Sequence, residues 1–192
     1  MKALYIDRST GESRDGDWSE GLDLEGVERI VVGTGPGSFA GIRSALAFAQ
    51  GYALARKCEV LGLPSACAIA ARVYEREDFR RETEGGRGGR LPLAVIGDAR
   101  QGKAWVALFD GYRLEKDVFQ VNQDELAGAV AADCRVVTPD EKRIDGLLRE
   151  VFGERYLGGM VPTSEGLRQF AERCPSVLKS EPLPIYLNPA VR

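Results

Sequence analysis

The 192-residue sequence is 44% hydrophobic and 29% charged, with a net charge of -3, the balance of a globular protein with enough apolar content for one domain or two small lobes. It contains no histidine, which removes Ser-His-Asp and Cys-His nucleophile systems and imidazole metal ligands, and its acidic balance gives no general attraction to nucleic acid. No run approaches the roughly 18 apolar residues of a membrane span, no signal-peptide core precedes the first strand pattern, and Cys58, Cys67, Cys134 and Cys174 form no CxxC pair, so a cytoplasmic chain with reduced packing thiols and no metal site is expected.

Taken in order, Leu4, Tyr5 and Ile6 predict a short strand ending at Asp7, whose carboxylate can cap the next turn or help hold a metal. From Gly11 to Gly26 the chain is polar and glycine-rich and predicts neither a helix nor a hairpin. Ile30, Val31 and Val32 then predict a buried strand that runs into Gly33-Thr34-Gly35-Pro36-Gly37-Ser38. The glycines leave room for a close approach, Pro36 stiffens the turn, and Ser38 is placed to cap a helix starting near Phe39. That helix would aim unpaired N–H groups at whatever lies above the turn, so Gly35, Gly37 and Ser38 are candidate anion or nucleotide ligands. The alternative is plain: the turn matches neither GxxxxGK[ST] nor GxGxxG, and a capped helix after glycines is common punctuation.

Along the helix, Ala40, Ser44, Ala47, Gly51 and Ala55 recur at spacings of three and four and leave one face almost without bulk. Ile42, Leu46, Ala49 and Ala53 lie on another arc and can bury on a sheet. The small face can then receive a second helix.

Glu59–Leu63 predicts a second buried strand, completing a βαβ unit, and Pro64-Ser65 opens a helix over Ala66 to about Glu77. Arg72 to Arg90 alternates arginines with glutamates, the pattern of a solvated segment rather than an RNA contact. Residues 85–90 are glycine-rich and are expected to link an N-terminal lobe (1–84) to a C-terminal lobe (91–192). Leu91–Ile96, Ala104–Phe109 and Tyr112–Val121 predict an antiparallel meander. A helix capped by Asn122 or Asp124 and running to Ala132, a strand at Arg135–Val137, a helix opened by Pro139 and a last helix from Thr163 follow. The proline-stiffened tail at 181–188 suits a sheet edge and is expected to return to the N-terminal lobe.

Several segments carry a resemblance. Gly35-Pro36-Gly37-Ser38-Phe39-Ala40-Gly41-Ile42-Arg43 is similar to the GPGSFTGxR signature of the TsaB (YeaZ) family. Leu4-Tyr5-Ile6-Asp7, Gly62-Leu63-Pro64-Ser65, Ile96-Gly97-Asp98-Ala99-Arg100-Gln101-Gly102 and Pro184-Ile185-Tyr186-Leu187 resemble that family's other motifs in the same order. The resemblance implies an α/β fold of the actin-like, ribonuclease H-like (sugar-kinase) superfamily, with two lobes of mixed sheets and helices. It further implies a non-catalytic subunit that supports a TsaD-like enzyme in building threonylcarbamoyladenosine on tRNA. TsaD in that family uses histidines in an HxxxH pattern, and a TsaE-like ATPase joins the assembly.

Three departures stand out: Arg8 follows Asp7, Ala40 replaces the signature threonine, and Asn188 stands where the family has arginine. The family's two further strands and long helix after the first turn are also missing, since only Ser9 to Gly26 remains. Without that helix the small face lacks its expected cover. The partner-binding residues are therefore expected to be Phe39, Ala40, Arg43, Ser44, Ala47, Phe48, Gly51 and Ala55. The partner would be a TsaD-like subunit or a second copy of the chain, with tRNA contacted only indirectly and no membrane involved. No catalytic residue and no required cofactor are expected, with ATP or ADP confined to a partner interface. A rival reading is a nucleotide-binding, ATPase-like enzyme that uses the glycine turn for phosphate and Asp7 with Asp98 for magnesium; a third is a degenerate homologue kept as a structural module.

Overall fold

Three short apolar runs become a parallel sheet. In the computed structural model, which describes residues 2–10, 22–77, 79 and 92–187, β1 (Lys2–Ile6), β2 (Val27–Gly33) and β3 (Glu59–Leu63) lie in that order, with β2 parallel to both neighbours. The central strand is covered on both faces: Ile30, Val31 and Val32 are at most 1% exposed, which is why it reads as a continuous apolar run and not an alternating one. Arg29 and Glu59 form an ion pair between neighbouring strands.

Helix α1 (Phe39–Arg56) connects β2 to β3. Its buried arc, Ile42, Ala45, Leu46 and Ala49, packs with Ile6, Val27, Ile30 and Val32 as one core, close to the arc predicted from the sequence. Lys57 ends it in the left-handed region, with its N–H returned to the Ala53 carbonyl, a usual way to satisfy a last-turn acceptor. Helix α2 (Ser65–Tyr74) follows β3. Its residues from Ala66 to Ala71 are at most 1% exposed, so this stretch of the helix is buried all round.

The second sheet is mixed. β4 (Pro92–Arg100), β5 (Lys103–Asp110), β6 (Arg113–Leu114), β7 (Phe119–Asn122), β8 (Arg135–Thr138) and β9 (Tyr156–Gly159) are arranged β6-β5-β4-β8-β9, with β7 also on β5. The β4–β5 hairpin is antiparallel, and β8 runs parallel to β4 and β9. The meander is present, but its third arm is split into β6 and β7. The helix expected up to Ala132 is only a 3-10 turn at Gln123–Glu125 and α3 (Leu126–Ala129). Helix α4 (Glu141–Phe152) buries Ile144, Leu148 and Phe152 into a core with Ile96, Val106 and Val136, and α5 (Ser164–Arg173) is capped by Thr163, which accepts the Gly166 N–H. β9 was not predicted: a four-residue edge strand ending in two glycines has too little apolar periodicity to register.

Chain contacts divide the molecule into two compact units, Met1–Ala68 with Pro162–Ile185, and Ile69–Val161 with Tyr186–Arg192. This division departs from the expected boundaries, because it falls inside α2 and the first unit takes back α5 and most of the tail. The expected linker at 85–90 and the expected arginine position at Asn188 lie outside the described residues. Within the first unit, Gly62 exchanges both backbone hydrogen bonds with Lys179, just ahead of the tail at 181–188, and the Ile185 N–H of the tail donates to the Thr34 carbonyl. Among the described residues no helix is long and apolar enough to cross a membrane.

Gly97, in the motif at 96–102, is a glycine by packing. It pairs with Trp105 across the β4–β5 hairpin, and a Cβ there would fall 2.2 Å from the buried indole ring. The ring has no room to move, so Gly97→Ala is expected to cost about 1–3 kcal/mol by overpacking, seen as a lowered midpoint in thermal or urea unfolding.

Candidate functional site

The glycine turn lies at the carboxyl end of β2 and closes on the chain itself. The Thr34 N–H donates to the Leu63 carbonyl, the Gly35 N–H to Ser65 Oγ, and the Ser38 N–H to the Ser9 carbonyl. Ser65 in turn donates its own N–H to the Gly35 carbonyl. The Ser38 hydroxyl accepts the Gly41 N–H at 3.3 Å, making the predicted cap of α1.

What occupies the space above the turn is the backbone of Arg8 and Ser9. A Cβ on Gly37 would stand 2.1 Å from the Ser9 carbonyl oxygen, and one on Gly41 would stand 2.0 Å from that of Arg8. These contacts need glycine whatever the torsion angles. Of the three residues read as anion ligands, Gly35 and Ser38 have their amides already bonded within the chain, and Gly37 is pressed against Ser9. A phosphate would have to displace that segment. The turn acts as a packing joint that starts α1.

Asp7 stands at the root of the joint. Its Oδ1 accepts the Ser9 N–H at 2.9 Å and the Ser9 hydroxyl at 2.7 Å, an Asx-type arrangement. Its Oδ2 is buried without a hydrogen-bond partner, directly over the Gly33 Cα, where an added Cβ would come within 1.9 Å of it. Burial pushes the Asp7 carboxyl above its ordinary range, opposed by the Ser9 hydroxyl and amide and by the Ser65 hydroxyl. The Ser65 hydroxyl thus lies within electrostatic reach but makes no well-formed bond to Oδ2.

The other face of α1 is open. Phe39, Ala40, Arg43, Ser44, Ala47, Gly51 and Ala55, all expected to meet a partner, are exposed. Phe48 differs: it is half-buried, stacks on Tyr52, and packs on the core of its own unit. The Arg43 guanidinium sits 5.0 Å from the centre of the Phe39 ring, a cation–π pair at the start of the face. Leu54, 86% exposed, is the residue the sequence reading omitted. It lies three residues after Gly51 and seven after Ala47, a spacing that places it on the same side. At the far end of the helix a groove of about 590 Å³ opens between Leu24, Val27, Tyr52 and Arg56, with no part in the turn.

Asp98, the other carboxylate of the magnesium reading, is committed within the second unit. Its Oδ1 accepts the Arg100 N–H, its Oδ2 faces Arg100 and Arg143 at 3.7 and 3.6 Å, and its own N–H donates to Asp140. The described residues contain no group of three or more metal-ligating side chains. Of the cysteines, Cys67 and Cys134 are buried and Cys58 and Cys174 partly so, all as free thiols.

A family model described as TsaD, tRNA N6-adenosine threonylcarbamoyltransferase, matches residues 19–156. The chain belongs to the TsaD family. Solved structures similar to it include an uncharacterized protein with similarity to peptidase YeaZ from Pseudomonas aeruginosa, 22% identical with a TM-score of 0.64 over 84% of this chain and 74% of that one. Another is YeaZ from Pseudomonas aeruginosa, 22% identical with a TM-score of 0.63 over 86% and 77% of the two chains. No curated protein matches the chain at a significant level. The TsaB (YeaZ) resemblance of the sequence agrees with the TsaD-family match, and the shared fold is the expected actin-like, ribonuclease H-like α/β architecture.

Two glycines of α1 give opposite expectations for one substitution. Gly41→Ala drives a methyl into the Arg8 carbonyl and should cost about 1–3 kcal/mol. Gly51→Ala meets nothing within 4 Å and should stabilise the helix by about 0.5–1 kcal/mol. Parallel thermal unfolding of the two variants checks both signs.

Proposed function

We propose that this TsaD-family chain is a TsaB-like, non-catalytic subunit that supports a TsaD-type enzyme in tRNA threonylcarbamoyladenosine modification, docking through the open face of α1. The observation that carries the reading is the exposed row Ala40, Ser44, Ala47, Gly51 and Ala55, bordered by the exposed apolar side chains of Phe39 and Leu54. A face with so little bulk lets a partner helix approach at the short end of the usual 8–10 Å interaxial range, and Phe39 and Leu54 supply apolar area at its margins.

Two further features support a subunit without catalysis of its own. The sequence has no histidine for a metal-dependent transfer, and the glycine turn is filled by Arg8 and Ser9. On this reading the chain works in the cytoplasm, needs no cofactor, meets tRNA only through the assembled complex, and shares that complex with a TsaE-like ATPase. Any ATP or ADP is held at the interface with a partner.

The test is reconstitution of tRNA modification from a TsaD-type enzyme and its companions, with and without this chain. Modification is expected to depend on the chain and to fall at least tenfold with Gly51→Leu. Leucine is the better helix former by about 1 kcal/mol, so this variant should fold at least as stably as the natural chain while losing co-elution with the enzyme. Modification that is indifferent to the chain sinks the reading. Self-association that Gly51→Leu abolishes, with no binding to the enzyme, transfers the face to a second copy; tight Mg-ATP binding by the isolated chain in calorimetry returns the nucleotide-enzyme reading.

A further inference from the structure

We propose that Asp7 is carried in the folded chain as a neutral carboxylic acid that seats Arg8 and Ser9 beneath α1, and that its ionisation unseats them. The geometry is that of a latch. One oxygen, Oδ1, takes both the amide and the hydroxyl of Ser9. The Ser9 carbonyl then receives the Ser38 N–H at the cap of α1, and Gly37 and Gly41 lie against the same two-residue segment. The second oxygen, Oδ2, is buried and has no well-formed donor among the described residues, with the Ser65 hydroxyl near it.

A full negative charge shared with an undonated, buried oxygen is a costly state, whereas a protonated oxygen there carries no charge to solvate. Among the described residues, only the neutral donors of Ser9 and the Ser65 hydroxyl favour the anion. The elements packed around the carboxyl bring Ser9 from its own turn, the bare Cα of Gly33 from β2, and Ser65 from the start of α2. Among the described residues, burial, Ser9 and Ser65 are the influences on its ionisation, and no charged side chain is among them. Burial is the largest of these and raises the pKa.

The sign of the linkage follows. A carboxyl raised above its unfolded value leaves the native state undisturbed below the ordinary aspartate range. It withdraws stability as pH climbs from that range through the raised value, and above it the loss is constant. Asparagine keeps the shape and cannot ionise.

The experiment compares the intact natural chain with Asp7→Asn by thermal unfolding from about pH 4 to about pH 9. The expected result is a midpoint difference, variant minus natural, that grows more positive as pH rises; other carboxyls, Asp140 included, cancel in that difference. A difference that is flat, or that falls with pH, overturns the proposal. Infrared spectra at about pH 6, where exposed carboxyls are ionised, should show a protonated carboxylic carbonyl band in the natural chain that Asp7→Asn removes, and no such difference band overturns it. Should Asp7→Asn fail to fold, Ser9→Ala serves instead. It deletes one hydrogen bond that favours the charged form, so the pH at which the band disappears should rise; an unchanged or lowered value overturns the proposal. The unseating itself is read at the Ser38 amide, whose exchange protection should drop as the band disappears. All of these readouts use the chain alone, so they stand or fall independently of whether α1 meets a partner.

Discussion

The hydrogen bond from the Ser38 amide to the Ser9 carbonyl is the contact on which the first unit depends. It fixes where α1 begins, and so which of its sides turns toward the sheet. Everything required to make the bond is visible around it: an Asx turn at Asp7 that presents the Ser9 carbonyl, and glycines at 37 and 41 that let two backbones touch. A single methyl at either glycine would hold the segments apart. The apolar burial of Ile42, Ala45, Leu46 and Ala49 then follows from the position of the helix start.

This ordering of causes accounts for an apparent paradox in the glycine signature. Glycine-rich turns before helices often serve anions, because backbone N–H groups converge there. Here the same donors are spent on the chain's own carbonyl and hydroxyl, and the glycines exist to admit Arg8 and Ser9. The signature marks a structural joint, and the surface that results from it is one helix away.

Much of this was legible in the sequence because it rests on spacing. The two arcs of α1 were separable by counting, since Ile42 and Leu46 lie four apart on one side while Ala47, Gly51 and Ala55 lie four apart on another. Leu54 was missed because only the small residues of that face were counted, although its position places a large apolar side chain on the same side. Phe48 has contacts that spacing alone does not show: its ring reaches round to Tyr52 and the core. The turn-capping role of Asp7 was readable, but the state of its second oxygen was not, because that oxygen's surroundings come from Gly33 and Ser65, far away in sequence. β9 and the split of the third meander arm escaped for a related reason: their pairing is set by neighbours in the sheet and not by local pattern.

The tail that lies along β3 has a consequence for the chain's solubility. An edge strand normally presents a row of unpaired N–H and C=O groups that invites another strand to add on. Gly62 of that edge is already paired with Lys179, and Pro182 sits so close that a Cβ on Gly62 would come within 2.8 Å of it. The covering segment carries prolines at 182 and 184, which have no N–H to offer outward. The parallel sheet is thereby terminated by a strip that cannot template a further strand, and the chain is guarded on that side against edge-to-edge aggregation.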